Sequence, residues 1–212
     1  YKELFYGIDS HRCAQMSPMA IWCPNRCIYC WRPMEYMSNL NITKNMVDCP
    51  EYIVDETVSK RKALLSGFKG DKRINTKKFE EAYYLFPNHW AISLSGEPCL
   101  YPRLSELIDC IRSHNETKSI FLVTNGLYPA VINKLKRDRA LPTQLYVSLS
   151  APNELLFEKI SRSGLTHSWE RLHKTMSLLS SLSCRTVIRF TLIKGLNDRL
   201  DYIKEYANIF DT

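Results

Sequence analysis

The sequence predicts an α/β fold, a parallel sheet curled into a partial, open barrel with its helices outside. Short apolar runs alternate with stretches of helical periodicity along the chain, the pattern of a parallel sheet with crossover helices. Each run ends on polar or conformationally special residues, which a barrel of this kind gathers at one mouth. The runs number five, too few to close an eight-stranded barrel. With 212 residues, 45% of them hydrophobic, the chain fits a single domain over 1–212 with a buried core. No internal repeat, low-complexity segment or linker divides it.

The apolar stretch 14–22 is expected as the first strand, delivering a loop that carries Cys23, Cys27 and Cys30. Asp48, Cys49 and Pro50 then start a helix with Ile53, Val54, Val58, Leu64 and Leu65 on its apolar face, and Gly67 ends it. A shorter helix over 76–85 leads to the strand 90–95, which stops at Gly96, Glu97 and Pro98. Helices over 104–113 and 129–139 precede strands over 119–124 and 144–149. Helices over 153–161 and 168–182 precede the strand 185–193, and a last helix spans 199–210. The mouth therefore receives Cys23, Gly96, Glu97, Thr124, Asn125, Ser148, Ser150 and Lys194. The chain opens on Tyr and shows no closing strand after its last helix, the pattern of a piece truncated at both ends.

No apolar run reaches the roughly 18 residues of a membrane span and no signal peptide opens the chain, so a cytoplasmic location without membrane contact is expected. Eight cysteines there point to metal ligands or buried thiols rather than disulfides. Cys49, Cys99, Cys110 and Cys184 have no partner spacing and are expected to be buried thiols. The formal net charge is +7, and residues 60–78 carry eight basic side chains against Asp71 alone. Such a run is a solvated face or a phosphate-binding one; in the second case Lys72 and Arg73 are candidate nucleic-acid contacts.

The chemistry centres on Cys23, Cys27 and Cys30, a C-x3-C-x2-C frame. Three thiolates on one loop leave one iron of a 4Fe-4S cluster without a protein ligand, open to a small molecule. Cys13, ten residues before Cys23, allows another reading. The four cysteines together could close a tetrahedral zinc site in an RNA-binding module without catalysis.

The frame, with Tyr29 before its last cysteine, resembles the cluster loop of radical S-adenosylmethionine enzymes, and Gly96-Glu97-Pro98 stands where that superfamily has its glycine-glutamate element. Within it, the stretches SHRC (10–13), CPNRCIYCWR (23–32), LLSG (64–67), AISLSGEP (91–98), LVTNG (122–126) and LPTQLYVS (141–148) are similar to those of the tRNA 4-demethylwyosine synthases. The resemblance covers nearly the whole chain. It implies an open barrel of the radical S-adenosylmethionine type and a carbon–carbon lyase. Enzymes of that kind convert N1-methylguanosine at nucleotide 37 of phenylalanine tRNA, with pyruvate, to 4-demethylwyosine. It also implies an electron donor of flavodoxin or ferredoxin type, and a monomer is expected. A glycyl-radical-enzyme activase is the alternative within the superfamily.

Residue by residue, the resemblance assigns Cys23, Cys27 and Cys30 to the open-iron cluster, and Gly96 and Glu97 to the amino group of S-adenosylmethionine. Asn125, Ser148 and Arg189 are candidates for further cofactor contacts. Trp31, Arg32 and Tyr36, beside the cluster, are candidates to stack on an extruded base. The family's second 4Fe-4S cluster has three cysteine ligands; Cys13 matches the last, and the other two would precede Tyr1. Lys2 aligns with a lysine proposed to form an imine with pyruvate. Ser150 occupies a position where the family implies an aspartate.

Overall fold

The computed structural model describes residues 2–36 and 42–210, with Lys2 described by its backbone alone. Helix α1 (Lys2–Tyr6) precedes a 3-10 turn and strand β1 (Cys13–Met16). After the cysteine loop come α2 (Pro50–Ser66), α3 (Thr76–Tyr84), β2 (His89–Ile92), α4 (Leu104–Ser113), β3 (Ser119–Thr124), α5 (Pro129–Arg137) and β4 (Gln144–Ser148). The chain continues through α6 (Glu154–Ser161), α7 (Ser168–Leu178), β5 (Arg185–Arg189) and α8 (Leu200–Phe210). The five strands pair in sequence order, every pair parallel. Their carboxyl ends therefore lie along one edge, and β1 and β5 stand apart at the two ends of an open sheet.

Local chemistry sets the boundaries. Pro50 and Pro129 open their helices, where a missing N–H costs nothing. The side chains of Asn75 and Asn153 accept the backbone N–H of Lys78 and Leu156 at 3.0 and 3.1 Å, capping α3 and α6. Alternation along the strands then sorts residues to two faces. Ala14, Trp90, Ile92, Leu122, Leu145 and Val147 pack on the helix side against Leu107, Ile108, Ile111, Ile132, Leu135 and Leu172. On the opposite face Gln15, Ala91, Phe121, Val123, Tyr146 and Val187 line a hollow of about 670 Å³. Helix α1 reaches that hollow: the Tyr6 ring meets Phe121 edge-on at 5.8 Å, and its hydroxyl accepts from the Tyr146 hydroxyl at 2.8 Å.

Four strands are shorter than the apolar runs that announce them, β4 by Leu149 alone. The first ends at Met16, because Ser17 and Pro18 turn the chain and Met19 is buried under the loop rather than in a ladder. The second ends at Ile92, where the Ser93 N–H still bonds the Met16 carbonyl before the chain leaves the sheet. The last ends at Arg189, short of the expected 193; with a neighbour on one side only, its continuation is held by a side chain instead. Asn197, buried, accepts from the Ile193 N–H at 2.6 Å and donates to the carbonyls of Thr191 and Ser150, each at 2.8 Å.

Candidate cluster and cofactor site

At the carboxyl edge lies a cavity of about 380 Å³ whose lining includes Cys23, Cys27 and Cys30 together with Gly96, Glu97, Asn125, Ser148 and Arg189. The cysteine loop is fixed there by main-chain bonds to the end of α6. Arg26 and Ile28 donate to the carbonyls of Ser161 and Ile160, both at 2.9 Å, Gly164 donates to Pro24 at 2.9 Å, and Asn25 bridges Ser163. Helix α6 can present those carbonyls because Arg162 turns left-handed at φ 45°.

The other wall of the loop rests on the segment after β2. The Ser95 N–H donates to the Ser17 hydroxyl, the Ser95 hydroxyl donates to the Ala20 carbonyl, and the Glu97 N–H donates to the Trp22 carbonyl at 2.8 Å. Between these contacts Gly96 runs at φ +69°, and a Cβ there would stand 1.6 Å from the Met19 carbonyl oxygen. Only glycine lets the two segments touch.

Glu97, 1% exposed, turns its carboxyl inward. It accepts from the Thr124 hydroxyl at 2.6 Å, the Asn125 N–H at 2.8 Å and the Cys99 N–H at 3.0 Å. The side chain thus ties the end of β2 to the end of β3, and burial raises its pKa above the ordinary carboxyl value. Asn125 continues the chain of contacts, its Oδ1 accepting from the Leu127 N–H at 3.0 Å. Ser148 and the exposed Arg189 stand on the far wall, and Arg189 also borders the hollow on the inner face of the sheet.

Burial raises the pKa of the Cys23 thiol and, helped by the Cys23 and Cys30 charges, pushes Cys27 up to about 11. Arg32 opposes this. Its Nε donates to Cys30 Sγ at 2.9 Å, and the same guanidinium stands against Cys23, lowering that thiol's pKa. The Tyr29 hydroxyl shares a 2.9 Å bond with Ser150 Oγ, so a neutral serine here meets a neutral phenol. Burial first, then the Cys27 charge, raise that phenol to about 12.

Several expected residues are placed elsewhere. Cys13 faces a separate cavity of about 490 Å³ between β1 and α2, bordered by Tyr52, Ile53 and Arg61, so the four-cysteine zinc site is not assembled. Among the described residues no three His, Cys, Asp or Glu side chains converge tightly enough to hold a single metal ion. Arg32 is half-buried and faces the thiols, its Nε donating to Cys30 Sγ. Lys72 and Arg73 lie on the α2–α3 loop at the amino edge of the sheet, opposite the mouth. Arg61 fixes that geometry by donating to the carbonyls of His11 and Cys13 at the start of β1. Arg73 also pairs with Asp71 at 2.7 Å. Trp31 and Tyr36 are exposed, at 73% and 69%. Cys49 is exposed rather than buried, whereas Cys99 is buried as expected. The side chain of Lys2 lies outside the described residues.

The fit of an open-iron cluster and its ligand is read from what the cavity leaves unpaired. It holds three thiols, with the fourth candidate elsewhere. Asn25 Oδ1, Asn125 Nδ2 and Arg32 Nη1, all on residues lining it, are buried without a hydrogen-bond partner among the described residues. An acceptor and two donors left unpaired suit a ligand carrying both ammonium and carboxylate groups. Asn25 had no sequence signal beyond its place inside the cysteine frame.

The sequence profile of the Radical SAM superfamily matches residues 17–207. The chain belongs to the Radical SAM superfamily. Membership implies a 4Fe-4S cluster and S-adenosylmethionine, which the three-thiol cavity of this radical SAM chain fits. Over 197 residues, 93% of the chain, it is 43% identical to the S-adenosyl-L-methionine-dependent tRNA 4-demethylwyosine synthase of Pyrococcus abyssi, of which it spans 56%. The synthase TYW1 of Xenopus laevis is 36% identical over 99% of the chain and 27% of its own length. The chain thus spans about half the archaeal relative and a quarter of the vertebrate one. A solved structure of TYW1 with a lysine-pyruvate adduct bound superposes with a TM-score of 0.82 at 39% identity, covering 99% of this chain and 65% of that one. A crystal structure of archaeal TYW1 gives 0.76 at 36%. No helix among the described residues is long and apolar enough to cross a membrane.

Proposed function

We propose that this chain is the catalytic core, over 1–212, of a tRNA 4-demethylwyosine synthase that acts on N1-methylguanosine 37 of phenylalanine tRNA with pyruvate. The observation that carries the reading is the cavity where Cys23, Cys27 and Cys30, without a fourth thiol, face the ends of β2, β3, β4 and β5. When bound, the cluster and S-adenosylmethionine supply one-electron cleavage of a sulfonium and, through it, hydrogen abstraction from an unactivated N-methyl group.

The chain's own residues orient and enclose. Cys23, Cys27 and Cys30 ligate the cluster. The main chain at Gly96 faces the amino group of the cofactor, with the Glu97 carboxyl acting behind it as a brace. Asn25, Asn125, Ser148 and Arg189 hold the remaining polar groups, and Trp31, 73% exposed at the rim, stacks on the extruded base. Lys2 is the amine that meets pyruvate, and Cys13 a ligand of a second 4Fe-4S cluster. Lys72 and Arg73 reach the tRNA backbone from the far edge of the sheet. The chain works as a cytoplasmic monomer supplied by a flavodoxin-like or ferredoxin-like donor, and its reaction class is a carbon–carbon lyase. A four-cysteine zinc module is disfavoured because Cys13 stands in another cavity.

The test is anaerobic reconstitution followed by iron, sulfide and 5'-deoxyadenosine assays. About four irons per open cluster, with 5'-deoxyadenosine release rising only on addition of tRNA that carries N1-methylguanosine, is expected. Stoichiometric zinc without iron would sink the proposal; release indifferent to tRNA would favour the activase.

A further inference from the structure

Among the described residues, Arg32 is the one cation that touches the thiols of the cysteine loop. Its Nε hydrogen-bonds Cys30 Sγ at 2.9 Å, its guanidinium lies against Cys23, and its Nη1 is buried without a partner among the described residues. The side chain is half-buried beside these two sulfurs. Trp31 before it is exposed, and Pro33 after it cannot continue a regular ladder. The backbone therefore points this one side chain inward while its neighbour faces out.

A fixed positive charge and N–H donors at the ligand sulfurs favour whichever redox state of a cluster carries more negative charge. Resting on the radical SAM reading above, we infer that Arg32 is a positioning residue that raises the reduction potential of the cluster held by Cys23, Cys27 and Cys30, easing entry of the electron. In this role Arg32 acts through Cys30 and Cys23 and not on the substrate.

A space-filling role makes the opposite prediction. Removing a half-buried side chain that merely excluded solvent would admit water, and water also stabilises the reduced cluster; the potential would then rise. The sign of the shift separates the two roles.

The experiment compares the reconstituted chain with Arg32→Gln and Arg32→Lys, measuring iron and sulfide content and then the midpoint by a redox titration followed by electron paramagnetic resonance. The expected result is a midpoint shifted to more negative potential in Arg32→Gln, and a smaller negative shift in Arg32→Lys, which keeps the charge but loses the planar fork. An unchanged or more positive midpoint in either variant with full cluster content overturns the inference. If Arg32→Gln loads poorly, the Arg32→Lys midpoint decides alone. Failure of the wild-type chain to take up iron overturns the cluster reading itself, and is recognised before any potential is measured.

Discussion

Replacing Gly96 with alanine puts a methyl where the structure has no room. The new Cβ would stand 1.6 Å from the Met19 carbonyl oxygen, 2.8 Å from its carbon and 2.9 Å from the Trp22 carbonyl oxygen, all main-chain atoms. To reach even a 3.0 Å contact, the Met19 carbonyl must retreat by about 1.4 Å. The φ of +69° adds roughly 1–2 kcal/mol of left-handed strain, and the forced packing about 1–3 kcal/mol more. The displaced segment leads directly into Cys23, and the 2.8 Å bond from the Glu97 N–H to the Trp22 carbonyl goes with it. A misplaced support of this kind typically weakens metal binding by about 10- to 100-fold. Gly70→Ala is the control, with φ +94° and nothing within 4 Å of the added carbon. Iron and sulfide per chain after anaerobic reconstitution, beside a urea melt, reads both effects. Gly96→Ala should lose cluster as well as stability, and Gly70→Ala stability alone. Full cluster content in a Gly96→Ala protein as stable as the wild type would refute the reasoning.

Thr124→Val removes the hydroxyl that donates to Glu97 at 2.6 Å and should destabilise the fold by about 1–3 kcal/mol; an unchanged urea midpoint would say that the buried carboxyl does not need it. Burial holds Glu97 above its ordinary pKa of 4.5, so the folded chain keeps a proton that the unfolded chain releases. That contribution is complete below pH 4.5 and is lost as pH rises through the folded value. Wild-type stability should therefore fall relative to Glu97→Gln as pH climbs from 4.5, and parallel profiles would count against it. Asn197→Ala strips three hydrogen bonds from the junction of β4 and β5 and should cost about 2–4 kcal/mol in chemical denaturation. Reversing Lys72 and Arg73 to glutamate should weaken tRNA binding and flatten its salt dependence while leaving tRNA-independent 5'-deoxyadenosine release alone. Unchanged binding would return that loop to ordinary solvated surface.

The sheet was legible because its signal is carried by side-chain alternation. The strand at 119–124 and the helix at 104–113 coincide with their expected limits, each having a long apolar run or stripe bounded by polar residues. The run 14–22 misled because Met19 is buried by a folded-back loop, which apolar content cannot distinguish from a strand. The short helix at the start, Lys2–Tyr6, gave no periodic signal in five residues. At the site, cysteine spacing and the Gly-Glu-Pro turn were readable, since they are local in sequence. The inward turn of Arg32, the clamp of Glu97 on Thr124 and the remoteness of Cys13 were not, because each depends on where distant segments meet.

The bonds that hold the cysteine loop to the end of α6 join residues on either side of more than half the chain. During synthesis the thiols emerge before the carbonyls of Ile160 and Ser161 that shape their loop. Because long-range contacts form only after the intervening chain has paid its closure entropy, the loop should be among the last parts to take its final shape. Iron loading is then a terminal event of folding. A chain halted before α6 would carry three reactive thiols with nothing to arrange them.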